Sequence, residues 1–158
     1  MKITAQEEYG LRILIRIARN EKGMSIPQLS EAEGLSDHYV AKLTRLLRVE
    51  GFINSSPGYK GGYMLAQSAK NININKVLKA LGGALFDREF CGLHSGNVKL
   101  CTNSVECSAR SLWQMVQYNI DQLLDKISLH DLVNSEKESG EILKQLLEQN
   151  SLVKLPPQ

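Results

Sequence analysis

The sequence predicts a mostly α-helical fold with one small β-hairpin, and three observations carry that reading. Three segments before residue 51 repeat their apolar side chains at helical spacing, each bounded by capping and stop residues. A short strand-like stretch broken by Pro57-Gly58 and Lys60-Gly61-Gly62 follows. Trp113, Val116, Ile120, Leu123 and Ile127 then recur at alternating intervals of three and four, the period of a helix–helix seam.

The first helix is expected over Thr4 to Asn20. Thr4 is an N-cap with Glu7 three residues on, a capping-box pattern. Leu11, Ile13, Leu14, Ile15, Ile17 and Ala18 form a broad apolar surface, and Glu8, Arg12 and Arg16 share the remaining stripe at intervals of four. A second helix runs from Ile26 to Glu33, with Pro27 in its first turn and Gly34 ending it, because glycine accepts the left-handed backbone of a helix C-terminus. Ser36 or Asp37 caps a third helix reaching about Glu50. It turns Val40, Leu43, Leu46 and Leu47 inward and His38, Lys42, Arg45 and Arg48 outward. Two helices, a short turn and a basic second helix make a helix-turn-helix signature.

Phe52 to Leu65 reads as a hairpin, with Phe52-Ile53 and Tyr63-Met64-Leu65 as strands. Its tip holds Tyr59, Lys60 and Gly61, a cation beside glycines that let backbone approach a groove closely. The hairpin is a wing, and residues 1–69 read as a winged helix-turn-helix DNA-binding domain. Its candidate DNA contacts are His38, Tyr39, Lys42, Arg45, Arg48, Tyr59, Lys60 and Gly61.

A fourth helix covers Asn73 to Leu81 and stops at Gly82-Gly83. The stretch from Phe86 to Glu106 has no clear period, and the longest helix spans about Ser108 to Ile127. The order is then a linking helix and cysteine loop at 70–107, a helix at 108–133 whose seam is intramolecular or dimeric, its length on so small a domain favouring a dimerisation helix, and a C-terminal tail at 134–158. That tail contains one amphipathic piece, Glu141 to Glu148, expected to be mobile or loosely docked.

Bulk composition narrows the class. The chain has 158 residues, 42% of them hydrophobic, enough for one domain with an extension. No run approaches the roughly 20 apolar residues of a membrane span, and the polar Gln6, Glu7 and Glu8 break any signal-peptide core. A cytoplasmic protein is expected. Residues 1–70 carry 10 Lys/Arg against 7 Asp/Glu, while residues 71–158 carry 9 against 10, so the basic excess lies in the front half.

All three cysteines, Cys91, Cys101 and Cys107, fall within 17 residues. Their Cys-x9-Cys-x5-Cys spacing matches neither the close pairs of structural zinc sites nor common ferredoxin patterns. An odd count in a reducing compartment favours free thiols or metal ligands over disulfides. Gly92, Gly96, Asn97 and Asn103 make the loop pliable enough to wrap a metal, and His94 lies three residues after Cys91 as a second type of donor. No Cys-x-x-Cys, His-Glu-x-x-His or nucleophile–base signature supports a thiol-redox or zinc enzyme.

With these residues in view, the chain resembles the Rrf-two (BadM-type) family of winged-helix regulators over roughly residues 1 to 133. The likeness rests on Met1-Lys2-Ile3-Thr4 opening the first helix, and on Leu35 to Lys42 entering the third. It rests further on Lys60-Gly61-Gly62-Tyr63 in the wing, the cysteine loop before a long helix, and Leu129-His130-Asp131-Leu132-Val133 after it. The resemblance implies a homodimer with crossing long helices, whose heads place recognition helices in major grooves and wings in minor grooves of a pseudo-palindromic DNA operator. It implies a repressor carrying an iron–sulfur cluster, [2Fe–2S] or [4Fe–4S], in the cysteine loop, responsive to oxidation, nitric oxide or iron–sulfur status. A cluster-free regulator of the same fold, sensing through Cys107 oxidation or a small ligand, is the alternative.

The likeness also bears on the fourth ligand. In the IscR-like branch a histidine follows the last cysteine by three residues; Arg110 stands there in this chain. In the NsrR-like branch an acidic residue of the partner subunit's first helix completes the site, and Glu8 occupies that place. A redox-sensing branch adds a histidine from the second helix, where this chain has Glu33. Glu8 is the favoured fourth ligand and His94 the minor candidate. A Glu8 carboxylate that leaves the cluster and falls back onto Arg12 would make those two residues a switch.

Overall fold

The computed structural model describes residues 3–56, 62–87 and 89–148. Thr4 caps α1 (Ala5–Ala18): its hydroxyl accepts the Glu7 N–H at 3.2 Å, and the Glu7 carboxylate accepts the Thr4 N–H at 2.7 Å, closing the expected box. α2 (Ile26–Glu33) starts with Pro27 in its first turn and ends at Gly34, whose φ of +65° is the left-handed cap that glycine favours. Ser36 caps α3 (Asp37–Val49) by accepting the Tyr39 N–H. Ile13, Leu14 and Ile17 of α1, Leu29 of α2, and Val40, Leu43 and Leu47 of α3 interdigitate in one core.

β1 (Ile53–Ser55) pairs antiparallel with β2 (Tyr63–Leu65) in the register Ile53–Leu65, Asn54–Met64 and Ser55–Tyr63. The first strand starts at Ile53. The Phe52 side chain is buried in the core and its carbonyl accepts the Ala66 N–H beyond the ladder. Met24 and Tyr63 exchange two backbone hydrogen bonds, which pin the turn-side end of β2 to the α1–α2 connection. Gly62 makes that approach possible, since a Cβ there would lie 2.7 Å from the Met24 carbonyl carbon.

After a 3-10 turn at Ala69–Asn71, Asn73 caps α4 (Ile74–Gly82), whose Ile74, Val77 and Leu81 close the core. α1 and α4 meet closely at Gly10, where a Cβ would stand 2.5 Å from a Leu81 methyl. A one-turn α5 (Phe90–Leu93) lies within the stretch where the sequence shows no period. α6 (Ser108–Leu124) follows. It ends one turn before Ile127, which leaves the expected seam and is buried in the head core instead. The physical reason is a return of the chain: the Ile74 N–H donates to Ile127 and the Leu129 N–H donates to Ile72, so residues 127–129 pair with 72–74.

α7 (Leu129–Val133) and α8 (Glu136–Glu148) complete the chain. The expectation of a loosely docked tail is corrected over these residues. α8 begins five residues earlier than the amphipathic piece suggests, Ser139 is buried, and Leu143 and Leu146 pack on the core. Arg19 fastens the junction by donating to the carbonyls of Val133 at 2.7 Å and Asn134 at 2.6 Å. Among the described residues no helix is long and apolar enough to cross a membrane.

Two tests concern these joints. Gly10→Ala overpacks the α1–α4 contact and lowers stability by about 1–3 kcal/mol, read as a lower melting temperature with an unchanged circular-dichroism spectrum. At the start of α8 the Ser135 hydroxyl and N–H donate to Glu138 and hold its carboxyl below the usual range. Its contribution is therefore complete above the free-carboxyl range and is lost as pH falls through the depressed folded value. Protection of the first-turn amides of α8, taken relative to their intrinsic exchange at each pH, falls over that window, and Glu138→Ala removes this change in protection.

Candidate functional site

α3 presents its polar face outward as its sequence periodicity requires. His38, Lys42, Arg45 and Arg48 are all exposed, and among the described residues Lys42, Arg45 and Arg48 make no ion pair. Tyr39 is different. It is half-buried and meets the Tyr9 ring edge-on at 6.2 Å, so it joins the recognition-type helix to α1. The wing-tip candidates Tyr59, Lys60 and Gly61 lie outside the described residues. The strand that leads out of the wing tip is anchored to the α1–α2 connection by the Met24–Tyr63 bridge.

The acidic side chains of α1 and α2 are arranged in a way the sequence does not announce. Glu33 is buried, with a side-chain exposure of 2%, and lies between two guanidiniums. Arg12 contacts one carboxylate oxygen at 2.7 and 2.8 Å, and Arg16 contacts the other at 2.8 Å. Each arginine brings Nε and a terminal nitrogen to one oxygen, and these charge-assisted contacts lock α2 to α1. The pair expected between Glu8 and Arg12 is only a 4.0 Å approach. Arg12 spends its guanidinium on Glu33 and on the face of Tyr9, whose centroid is 5.5 Å away. Glu8 is left exposed on the outer side of α1. The available sequence signal was the like-charged pair Arg12 and Arg16 on one stripe, which calls for a carboxylate from another element.

The three cysteines are half-buried free thiols. Cys91 lies in α5, and Cys107 is the N-cap of α6, its sulfur accepting the Arg110 N–H at 3.4 Å. The Arg110 guanidinium reaches back to the carbonyls of Asn103 and Ser104 at 3.1 and 2.8 Å, drawing the middle of the loop toward α6. His94 ends α5 with its ring stacked on Phe90. α6 itself has no buried residue, and Leu112 and Trp113 are largely exposed. An open cleft of about 520 Å³ lies where α6 faces the head, lined by Leu78, Leu85, Ile120 and Leu124 among others.

An exposed basic helix, packed through its apolar face on two others and flanked by an anchored hairpin, defines a winged helix-turn-helix DNA-binding protein. A family model named Rrf2 and described as an iron-dependent transcriptional regulator matches residues 3–135, so the chain belongs to the Rrf2 family of transcriptional regulators. The protein rrf2 of Nitratidesulfovibrio vulgaris is 33% identical over 135 residues, spanning 84% of this chain and 87% of that protein. The regulator IscR of Escherichia coli is 27% identical over 139 residues, spanning 87% and 83%. Among solved structures, CymR, the global cysteine regulator of B. subtilis, superposes with a TM-score of 0.66 at 27% identity over 84% of this chain and 96% of that one. IscR of T. potens gives 0.65 at 26% identity over 84% and 86%. The Escherichia coli relative is named a transcriptional regulator, and the family is one of transcriptional regulators, not enzymes.

The family is described as iron-dependent, and the donor set of this chain bears on an iron–sulfur group. Three unpaired thiols on one loop are the donors such a cluster takes, so the set fits in kind. It is not gathered in the isolated chain: among the described residues no three His, Cys, Asp or Glu side chains come together to hold a metal ion.

Removing the α1–α2 clamp has a defined consequence. Glu33→Ala lowers stability by about 1–3 kcal/mol, since its hydrogen bonds are to charged groups but both arginines can rehydrate. The check is urea denaturation, with Glu8→Ala as a control expected to stay within about 0.5 kcal/mol of the parent.

Proposed function

We propose that this chain is a homodimeric, iron–sulfur-dependent repressor acting in the cytoplasm, with the cluster held by Cys91, Cys101 and Cys107. The observation that carries the reading is the confinement of three free thiols to one loop between the DNA-binding head and α6. Membership of a family described as iron-dependent supports it. The fourth position falls to Glu8 of the partner subunit or to His94. Glu8 suits the first arrangement because Arg12, its nearest cation, is already committed to Glu33.

Dimerisation is supported by α6. The side chains Trp113, Val116, Ile120 and Leu123 keep their seam spacing, and the rest of the chain leaves no residue of that helix buried. A second copy crossing this face would cover it and place two heads for a pseudo-palindromic operator. On the DNA side, Lys42, Arg45 and Arg48 supply unpaired cations on the recognition helix, with His38 and Tyr39 at its entrance. Tyr59, Lys60 and Gly61 would enter the minor groove from the wing. Oxidation, nitric oxide or shortage of iron–sulfur clusters would alter the cluster. Glu8, released from it, would compete for Arg12 and disturb the α1–α2 clamp. A tenfold to hundredfold change in operator affinity requires only about 1–3 kcal/mol of such coupling.

A second reading has its own support. Among the described residues the thiols and acids are not gathered for a metal, and CymR, a cysteine regulator, is among the similar structures. In that reading the thiols sense directly and no iron is needed.

Anaerobic isolation separates the two. The first reading predicts a coloured dimer with stoichiometric iron and sulfide, whose affinity for a duplex selected from a randomised pool changes at least tenfold when the cluster is stripped. A colourless protein that binds the same duplex fully, and loses it on thiol oxidation, establishes the second. The DNA face is tested separately. Lys42→Ala and Arg45→Ala each weaken binding, and a variant that removes one phosphate anchor reduces the slope of log affinity against log salt by about 1.

A further inference from the structure

The cleft between the head and α6 carries polar groups that the packing leaves unused. It follows one face of α4, where Asn75, Leu78, Lys79 and Gly82 recur at intervals of three and four and all line it. Ile120 and Leu124 of α6 supply apolar wall on the other side. Its volume of about 520 Å³ falls among small-molecule sites, which run from roughly 300 to 1,000 Å³.

Asn75 stands at one end of this face. It is 4% exposed, and its amide nitrogen donates to Asp125 Oδ1 at 2.8 Å. That bond fixes which way the amide faces, because turned over it would set two oxygens against each other. Its own Oδ1 accepts no hydrogen bond among the described residues. Among those residues only the Ser139 hydroxyl is both sealed and unpartnered, so the Asn75 oxygen opens to free space, and the space that Asn75 lines is the cleft.

Glu7 stands at the other end. Its Oε2 accepts the Thr4 N–H and hydroxyl, both at 2.7 Å. Its Oε1 rests on Gly82, where a Cβ would collide with it, and takes no donor among the described residues. Asn75 and Gly82 are about 10 Å apart along the helix. The cation between them is already engaged: Lys79 pairs with Asp121 at 2.8 Å, and Gln117 accepts the Phe86 N–H and donates to Asp121. The cleft therefore offers a carboxylate oxygen without a cation at one end, a neutral acceptor at the other, and apolar wall between.

We propose that this cleft binds a small organic ammonium compound: a primary amine seated on Glu7, an apolar body against Leu78, Ile120 and Leu124, and a hydroxyl donating to Asn75. Such a ligand touches α1, α4 and α6 together, beside the Asn75–Asp125 and Lys79–Asp121 contacts that fasten α6 to the head. Its occupancy sets how α6 sits on the DNA-binding head, which makes the cleft an effector site. None of the described residues lining it is a cysteine, so the site stands with or without a cluster in the loop.

Calorimetric titration of the full-length chain with tyramine tests this. The comparison compounds are para-ethylphenol, which lacks the amine, phenethylamine, which lacks the hydroxyl, and para-hydroxyphenylpropionate, which reverses the charge. Tyramine is expected to bind saturably, about tenfold tighter than para-ethylphenol, and the carboxylate not at all. Glu7→Gln keeps the capping acceptor and brings tyramine down to the level of para-ethylphenol. Leu78→Trp fills the cleft and abolishes binding, with melting curves confirming that both variants fold. Saturating tyramine shifts affinity for the selected duplex at least threefold in the parent and not in Glu7→Gln. Absence of saturable tyramine binding overturns the proposal, as does binding that survives in Leu78→Trp or is unchanged in Glu7→Gln. A parent dimer that ignores tyramine, and that Leu78→Trp splits into monomers, gives the cleft to a second copy instead. Binding that leaves duplex affinity unchanged overturns the effector role. Iron and sulfide content plays no part in these readouts, so the iron–sulfur reading stands or falls separately.

Discussion

The architecture depends on one backbone pairing, the return of residues 127–129 to residues 72–74. The chain leaves the head through α4, runs through the cysteine loop and α6, and comes back to insert Ile127 and Leu129 into the same core that Ile72 and Ile74 close. Everything from Gly83 to Lys126 is therefore an excursion fastened at both ends. Three side chains tighten the base of that excursion: Asn73 and Asn75 both donate to Asp125 at 2.8 Å, and Lys79 pairs with Asp121. A loop and a long helix that would otherwise swing on a linker are held to the DNA-binding head by a short polar latch above a dry seal.

That constraint decides how a chemical event in the loop can matter to DNA. A change at Cys91 or Cys107 acts on elements whose only covalent exits lead into the head. The stack from His94 through Phe90 and Phe86 reaches Gln117, one helical turn before Asp121 and its partner Lys79. On the other side of the head, α1 carries separate duties along its length. Glu7 closes the cap, Arg12 and Arg16 hold Glu33, and Arg19 grips the end of α7. Tyr9 touches both Arg12 and Tyr39, so the guanidinium clamp and the recognition helix share one aromatic contact. A bistable shift in packed elements of this kind transmits more readily than a continuous bend would.

Much of the head was legible in the residues because its determinants are local. The capping pairs Thr4–Glu7 and Ser36–Tyr39, the stop at Gly34 and the turn glycines of the hairpin act over three or four residues, and the observed helix ends fall within two residues of those signals. The thiols, their loop and the outward cations of α3 were legible for the same reason. What escaped was set by distant partners. Ile127 looked like one more position of a helical seam, and only the bridge between Asn73 and Ser128 diverts it into the head. α8 carries an ordinary amphipathic pattern, and its Leu143 and Leu146 pack on a core built by residues far away in the chain, while Arg19, more than a hundred residues distant, holds the α7 end that precedes it. Glu33 read as a helix-end acid, because nothing in its own segment reveals two arginines from α1.

The same distinction bears on how the site and the dimer relate. A fourth ligand borrowed from a partner makes cluster binding and subunit association one equilibrium, so each strengthens the other by mass action. A ligand from within the loop makes them separate: one chain can load its cluster, and α6 can pair with or without it. Glu33 then gains meaning as a fixed element. With Arg12 and Arg16 both hydrogen-bonded to the buried Glu33 carboxylate, the α1–α2 contact forms without Glu8, and Glu8 remains an exposed charge on the face of α1. Signal transfer would then run through the latch at Asp121 and Asp125, where the excursion meets the head, and not through a carboxylate passed between subunits.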